Sequence, residues 1–304
     1  MKPGIWLVAL AATLAVLPAR GAIEVVATLP DYAAIARDIG GRHVTVSSLA
    51  KGSEDAHFVD ARPSFIRVLN KADLLLEGGA DLEIGWLPAL LGSARNNRII
   101  GDRPGHVVLS RGVHLLDVPA EPVDRSMGDV HPLGNPHYWL DPVNGKVMAE
   151  TIAQALVAID PEHRSDYEAN LERFQRKLDS KLAEWQKRLA PFKGTKVITY
   201  HKSFDYLLER FGLVLVGTIE PRPGIEPSPH HISSLVSRTR AEGVKLVLIE
   251  PFRPRKTPER VAESIGAQLL VLPDKVSGNE HVKDYLGLFD YNVSQIAAAL
   301  EKSK

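Results

Sequence analysis

No cysteine occurs anywhere in the 304 residues. Disulfide stapling is therefore excluded, and stability must come from core burial. A transition-metal site, if there is one, must be built from imidazole and carboxylate rather than thiolate. Neither sign of charge is in excess: 37 Lys and Arg stand against 37 Asp and Glu, with no long basic block. The electrostatic footprint of a nucleic-acid binder is thus missing. Long apolar runs are missing too, apart from one at the start.

That run, Ile5 to Leu17, follows the basic residue Lys2. It has the length of a signal-peptide core and is too short to favour a membrane-spanning helix. Pro18 and the small residues Ala19, Gly21 and Ala22 place the expected cleavage near Gly21 or Ala22. Residues 1–22 are therefore read as a signal peptide. With no cysteine to carry a lipid, the mature protein is expected to be free in a bacterial periplasm rather than a lipoprotein. About 280 residues are left, enough for one or two cores.

From Glu24 onward, strand-like and helix-like runs alternate. Strands are expected at Glu24–Leu29, His43–Leu49, Ala72–Glu77 and Val107–Leu109, with helices at Tyr32–Ile39, Pro63–Leu69 and Leu82–Leu91. This βαβ rhythm predicts a mainly parallel sheet flanked by helices. Gly112 to Pro142 reads as a long loop rich in Pro, Gly and His, and a helix-like stretch follows His137. From Pro161 to Leu189 the apolar residues Tyr167, Leu171, Phe174, Leu178, Leu182, Trp185 and Leu189 step by three and four. That spacing predicts one long amphipathic helix, stopped by Pro191. A second α/β series follows. Its expected strands are Lys196–Tyr200, Leu213–Gly217, Lys245–Ile249 and Gln268–Leu272. Its expected helices are Ser203–Phe211, Pro229–Ala241, Pro258–Ile265 and His281–Leu300. The fold class is α/β: two lobes (23–159 and 192–304) joined by one long helix (160–191).

Ligands of open parallel sheets bind beyond the carboxyl ends of the strands. His57 and His201 follow expected strand ends, Glu250 ends one, and Asp274 lies just past another. His137 sits in the irregular loop. If the lobes face each other, His57 and His137 meet His201 and one carboxylate, a set suited to tetrahedral Zn²⁺. Nitrogen donors favour zinc over the harder Mn²⁺. Spacing alone does not choose this reading, because no HExxH or close His pair on a helix is present. Each histidine also reads as a polar loop or helix-start residue. His131 is a further candidate for guiding metal or lining the cleft.

Several segments together resemble the zinc- and manganese-binding solute receptors of bacterial ABC importers. Asn135-Pro136-His137-Tyr138-Trp139-Leu140-Asp141-Pro142 is the most specific match. Thr199-Tyr200-His201-Lys202-Ser203-Phe204 is similar to the family's third histidine segment, and Pro223-Gly224-Ile225-Glu226-Pro227-Ser228 to a later loop. Glu54-Asp55-Ala56-His57 is similar to its first, with Ala56 where proline is usual. The resemblance implies a non-enzymatic, monomeric receptor with one metal buried between two lobes, which delivers its ion to a membrane permease. It implies the ligands His57, His137 and His201, with Asp274 as the fourth and Glu250 as its alternative. Asp274 is offset from the family's usual position. His201 stands where the manganese branch commonly has a carboxylate, which favours zinc. The long His-rich loop of many zinc receptors is missing. The alternatives are a manganese receptor of the same family, or an exported zinc hydrolase using Glu250 or Glu220 as general base. The rigid linking helix is expected to confine metal-linked motion to small lobe tilts and to the loop near Asp274.

Overall fold

The computed structural model describes residues 21–121, 123 and 131–303. The expected signal peptide lies outside the described residues except for its last two positions. The first lobe runs β1 (Ile23–Ala27), α1 (Pro30–Gly40), β2 (Val44–Ser48), α2 (Pro63–Lys71), β3 (Leu74–Glu77), α3 (Leu87–Ala94) and β4 (His106–Val108). All its strands are parallel, in the order β2-β1-β3-β4. Two helices follow, α4 (Pro142–Ile159) and the 26-residue α5 (Arg164–Leu189). The second lobe runs β5 (Lys196–Thr199), α6 (Asp205–Phe211), β6 (Val214–Thr218), α7 (Pro229–Thr239), β7 (Leu246–Ile249), α8 (Lys256–Ile265), β8 (Gln268–Val271) and α9 (Tyr285–Lys302). Its order, β6-β5-β7-β8, is again all parallel and repeats the plan of the first sheet.

The central strands are apolar on both faces, as helix-covered parallel strands should be. Leu74, Leu75 and Leu76 of β3 and Leu246 to Ile249 of β7 are fully buried. Helix α5 crosses the molecule, spanning roughly 39 Å at ~1.5 Å per residue. The stripe read from the sequence is its buried face: Tyr167, Phe174, Leu178, Trp185 and Leu189 are buried, and Leu171 and Leu182 pack at its margins. That face lies against α1 and α4 of the first lobe and α9 of the second. One apolar core therefore runs through both lobes, and a smaller one lies under α7 and α8.

Three helices begin three or more residues later than the sequence reading placed them, each for a local reason. The expected helix Leu82–Leu91 begins only at Leu87. Ala80 and Asp81 adopt positive φ, and the buried Glu83 carboxylate turns back to accept from Thr28 Oγ1, Gly78 N and Gly79 N at 2.6, 2.8 and 3.0 Å. The long helix begins at Arg164, after a 3-10 turn at Pro161–His163. There Asp160 Oδ2 accepts from the Tyr167 hydroxyl at 2.6 Å. The stretch after His137 is an 18-residue helix, N-capped by Asp141, whose Oδ1 accepts from Val143 N at 2.9 Å. The last helix starts at Tyr285 rather than His281, because Asp284 caps it through Gly287 N at 2.7 Å.

Leu178, fully buried between the lobes, tests the shared core. Leu178→Ala is expected to cost about 2–5 kcal/mol in urea unfolding. Lys177→Ala, on the exposed face of the same turn, should stay within about 0.5 kcal/mol.

Candidate metal centre

Both sheets direct their strand ends toward the gap between the lobes. His201 lies two residues past β5, and the parallel ladder continues there: Tyr200 N donates to Leu248 O and Glu220 N to Tyr200 O, at 2.9 and 3.0 Å. That extra pairing step sets Glu220, just past β6, beside His201. His57 comes from the loop after β2, and His137 from the segment leading into a 3-10 turn at Tyr138–Leu140.

The three histidines converge. One ring nitrogen from each of His57, His137 and His201 lies within 4.8 Å of the others. The ring centroids form a near-equilateral triangle with sides of 5.0, 5.1 and 5.4 Å. The side chains are nearly closed to solvent, 7% exposed for His57, 3% for His137 and 4% for His201.

Each ring is held through Nδ1 by an oxygen acceptor. His57 Nδ1 donates to Asp55 Oδ1 at 2.8 Å, His137 Nδ1 to Asn135 Oδ1 at 2.9 Å, and His201 Nδ1 to Glu220 Oε2 at 2.8 Å. An imidazole that donates from Nδ1 and stays neutral carries its lone pair on Nε2. The rings are thereby oriented as metal-ligating histidines are, with Nε2 turned away from the orienting acceptors. The two first-lobe sites share one device. Asp55 Oδ1 and Asn135 Oδ1 each also accept the backbone N–H of the histidine two residues on, both at 3.0 Å. One oxygen thus locks both backbone and ring.

Burial, then the neighbouring histidines His201 and His57, hold His137 well below the usual imidazole pKa. Burial opposes ionisation of Asp55, but the hydrogen bond from His57 and the charges of His57 and Arg253 keep its carboxyl below the ordinary carboxylate range. His131 stands at the edge. Its Nε2 is 3.2 Å from His57 Nε2, and since His57 keeps its hydrogen on Nδ1, His131 is the donor. Burial, then His57 and His201, lower its pKa to about 3. His131, His137 and His201 share the wall of a cavity of about 160 Å³ with Asp117, Asn135 and Pro223.

Neither carboxylate expected as fourth partner joins the triad. Asp274 is buried and ion-paired with Lys275 through Oδ2, leaving Oδ1 without a partner. It is nonetheless close, since its carbonyl accepts from Trp139 Nε1 at 2.7 Å and the Trp139 ring is 5.2 Å from that of His137. Glu250 accepts from Ser203 Oγ and faces Arg253 Nε at 3.6 Å. Burial pushes its carboxyl pKa up, against the pull of Arg253. The sequence reading missed Asn135 and Arg253 altogether, and Asp55 and Glu220 as orienting groups. Two of the four had a visible signal: Asp55-x-His57 and Asn135-x-His137 have the same spacing. Glu220 and Arg253 had none, because only sheet pairing brings them to the site.

The chain has known relatives. A manganese ABC transporter substrate-binding lipoprotein, PsaA of Streptococcus anginosus, is 27% identical over 289 residues, covering 92% of this chain and 90% of the relative. The high-affinity zinc uptake system protein ZnuA of Brucella abortus is 34% identical over 148 residues, 45% of this chain and 44% of that protein. Among solved structures, a crystal structure of ZnuA superposes with a TM-score of 0.76 at 27% identity, covering 91% of this chain and 98% of the other. A periplasmic metal binding protein from Candidatus Liberibacter asiaticus, at 22% identity and a TM-score of 0.74, shares the fold. The family described as zinc-uptake complex component A, periplasmic, matches residues 25–299. The match takes in both sheets, the long helix and all three converging histidines, and the chain belongs to the ZnuA family.

Proposed function

We propose that this protein is a periplasmic, non-lipidated receptor that captures a divalent transition metal and delivers it to the permease of an ABC-type importer. The ion is Zn²⁺, held by Nε2 of His57, His137 and His201. The single observation that carries the reading is the commitment of all three Nδ1 atoms to fixed acceptors. It turns the three Nε2 atoms away from those acceptors, and among the described residues the one further contact recorded for them is that of His131 with His57. An all-imidazole triad favours zinc over manganese, which prefers more oxygen donors. The receptor acts as a monomer whose proposed units are residues 23–159 and 192–304, linked by 160–191.

Asp274 is our choice for the fourth donor. Asp274 Oδ1 and Glu250 Oε2 are both buried without a hydrogen-bond partner, but Glu250 Oε2 lies 3.6 Å from Arg253 Nε and its Oε1 accepts from Ser203, whereas the Asp274 carbonyl is tied to Trp139, whose ring is 5.2 Å from that of His137. Ligation by Asp274 would need the Asp274–Lys275 segment to shift, and the His131 hydrogen bond to His57 Nε2 to break. A donor set closed by Asp274 leaves no open coordination position for hydrolysis, which separates a receptor from a catalytic zinc site.

Zinc and manganese titrations of wild type, His201→Ala, Asp274→Ala and Glu250→Ala test this reading. His201→Ala should weaken zinc binding by at least about 100-fold, with Asp274→Ala intermediate. Unchanged zinc affinity in His201→Ala would overturn the site. A loss in Glu250→Ala with none in Asp274→Ala would move the fourth donor to Glu250.

The metal-free protein should also carry a pH signature. Unfolded, His131 titrates near ~6.5, but in the fold it stays neutral down to about 3. Between these values the unfolded chain binds a proton that the fold refuses, so stability falls as pH falls. His131→Gln is expected to flatten the stability slope between about pH 6.5 and 4, measured by urea unfolding in chelator. An unchanged slope would show that His131 is not held neutral.

A further inference from the structure

Arg253 lies four residues past the end of β7, in the loop that follows it, and faces three carboxylates. Its Nη2 is 3.4 Å from Asp55 Oδ2 of the first lobe, its Nη1 3.1 Å from Glu220 Oε1 of the second, and its Nε 3.6 Å from Glu250 Oε2. The guanidinium is seated over the rings of Tyr200 and Phe252, at 5.1 and 5.2 Å, and its side chain is 15% exposed. The oxygens of the two outer carboxylates are divided in the same way. Asp55 gives Oδ1 to His57 and turns Oδ2 to Arg253; Glu220 gives Oε2 to His201 and turns Oε1 to Arg253. An unbroken polar chain, His57–Asp55–Arg253–Glu220–His201, therefore crosses from one lobe to the other behind the metal-facing nitrogens.

We propose that Arg253 is a positioning residue that makes the two lobes' halves of the metal centre act as one unit, by fixing the carboxylates that aim His57 and His201. The proposal rests on the reading of the triad as a metal site. Three physical points carry it. Two carboxylates this close to one nonpolar seat repel each other unless a cation lies between them. A planar guanidinium presents donors in several directions at once, which a lysine ammonium on a flexible stem does not, so Arg253→Lys is not conservative here. A hydrogen-bonded orienting group governs the direction of the ligand it holds, so disturbing either end of the chain disturbs both histidines.

The test is a set of zinc dissociation constants, by chelator competition, for Asp55→Asn, Glu220→Gln and the double variant, in both the native and the Arg253→Lys background. Asn and Gln keep an acceptor for the histidine but turn an amide N–H toward the guanidinium. In the native background each single change should weaken zinc binding about 10–100-fold. The double variant should lose little more than the worse single, because either break already releases the unit. In Arg253→Lys, itself weakened, the two losses should multiply. If they multiply to within about twofold in the native background, the sites are independent and the role of Arg253 is overturned. That comparison leaves Arg253 in place, so it holds even if Arg253→Lys folds poorly. A wild type that binds zinc no better than His201→Ala would instead overturn the metal site itself.

Discussion

Three buried imidazoles, each obliged to donate from Nδ1, are the constraint on which this structure turns. A neutral ring with one nitrogen committed has a single lone pair left. With one nitrogen of each ring within 4.8 Å of the others, the three cannot all take protons, since burial and the neighbouring rings oppose charge at His137. The arrangement is best satisfied by a cation. Everything that aims the rings serves it: Asp55 and Asn135 through their double acceptance of ring and backbone, and Glu220 through its place beside β5. In the proposed function, imidazole donors backed by the carboxylates of Asp55 and Glu220 would compensate a divalent charge without surrounding the ion with oxygen.

Because the triad draws on both lobes, it works only if the lobes keep their relative position. Apolar packing of α5 against α1, α4 and α9 supplies the scaffold, and directional contacts refine it. Arg210 of α6 holds the Asp141 carboxylate with two hydrogen bonds, at 2.7 and 2.6 Å. Tyr206 Oη donates to Asn135 O, and Asn135 Nδ2 to Lys202 O, at 2.7 and 2.8 Å. These ties fall on the segments that carry His137 and His201. On the other side, Gly52 lies against the backbone of Val276–Gly278, where a Cβ would approach to 2.2 Å. The loop leading to His57 is thus keyed to the loop that follows Asp274, and Val276 N donates to Asp31 of α1. Any shift of Asp274 toward the triad must move a segment that both lobes grip.

The parts of the fold legible in the sequence were those with a strong period or a local cap. The eight parallel strands are short apolar runs, and the heptad-like stripe of α5 was readable residue by residue. The misplaced boundaries arose where a side chain reached across the fold. Glu83 left its expected helix for Gly78, Gly79 and Thr28, a choice visible only once the first sheet is formed. The histidines were legible because each follows a strand end or a stiff turn. The fourth donor was not. Its candidates differ in their partners, Lys275 for Asp274 and Ser203 with Arg253 for Glu250, and partners are a tertiary property.

By itself the sequence determined the chemistry: imidazole and carboxylate in place of thiolate, two α/β units, one long helix, and Asx-x-His pairs whose locking is local and so written in neighbouring residues. Only the tertiary structure decided the geometry. It brought His201 to His57 and His137, set Glu220 behind one ring, and placed Arg253 between the lobes. The physical reason is range: hydrogen bonds between residues two apart are encoded by spacing, whereas an ion pair between Asp55 and Arg253 exists only after two separately formed sheets pack on a common helix.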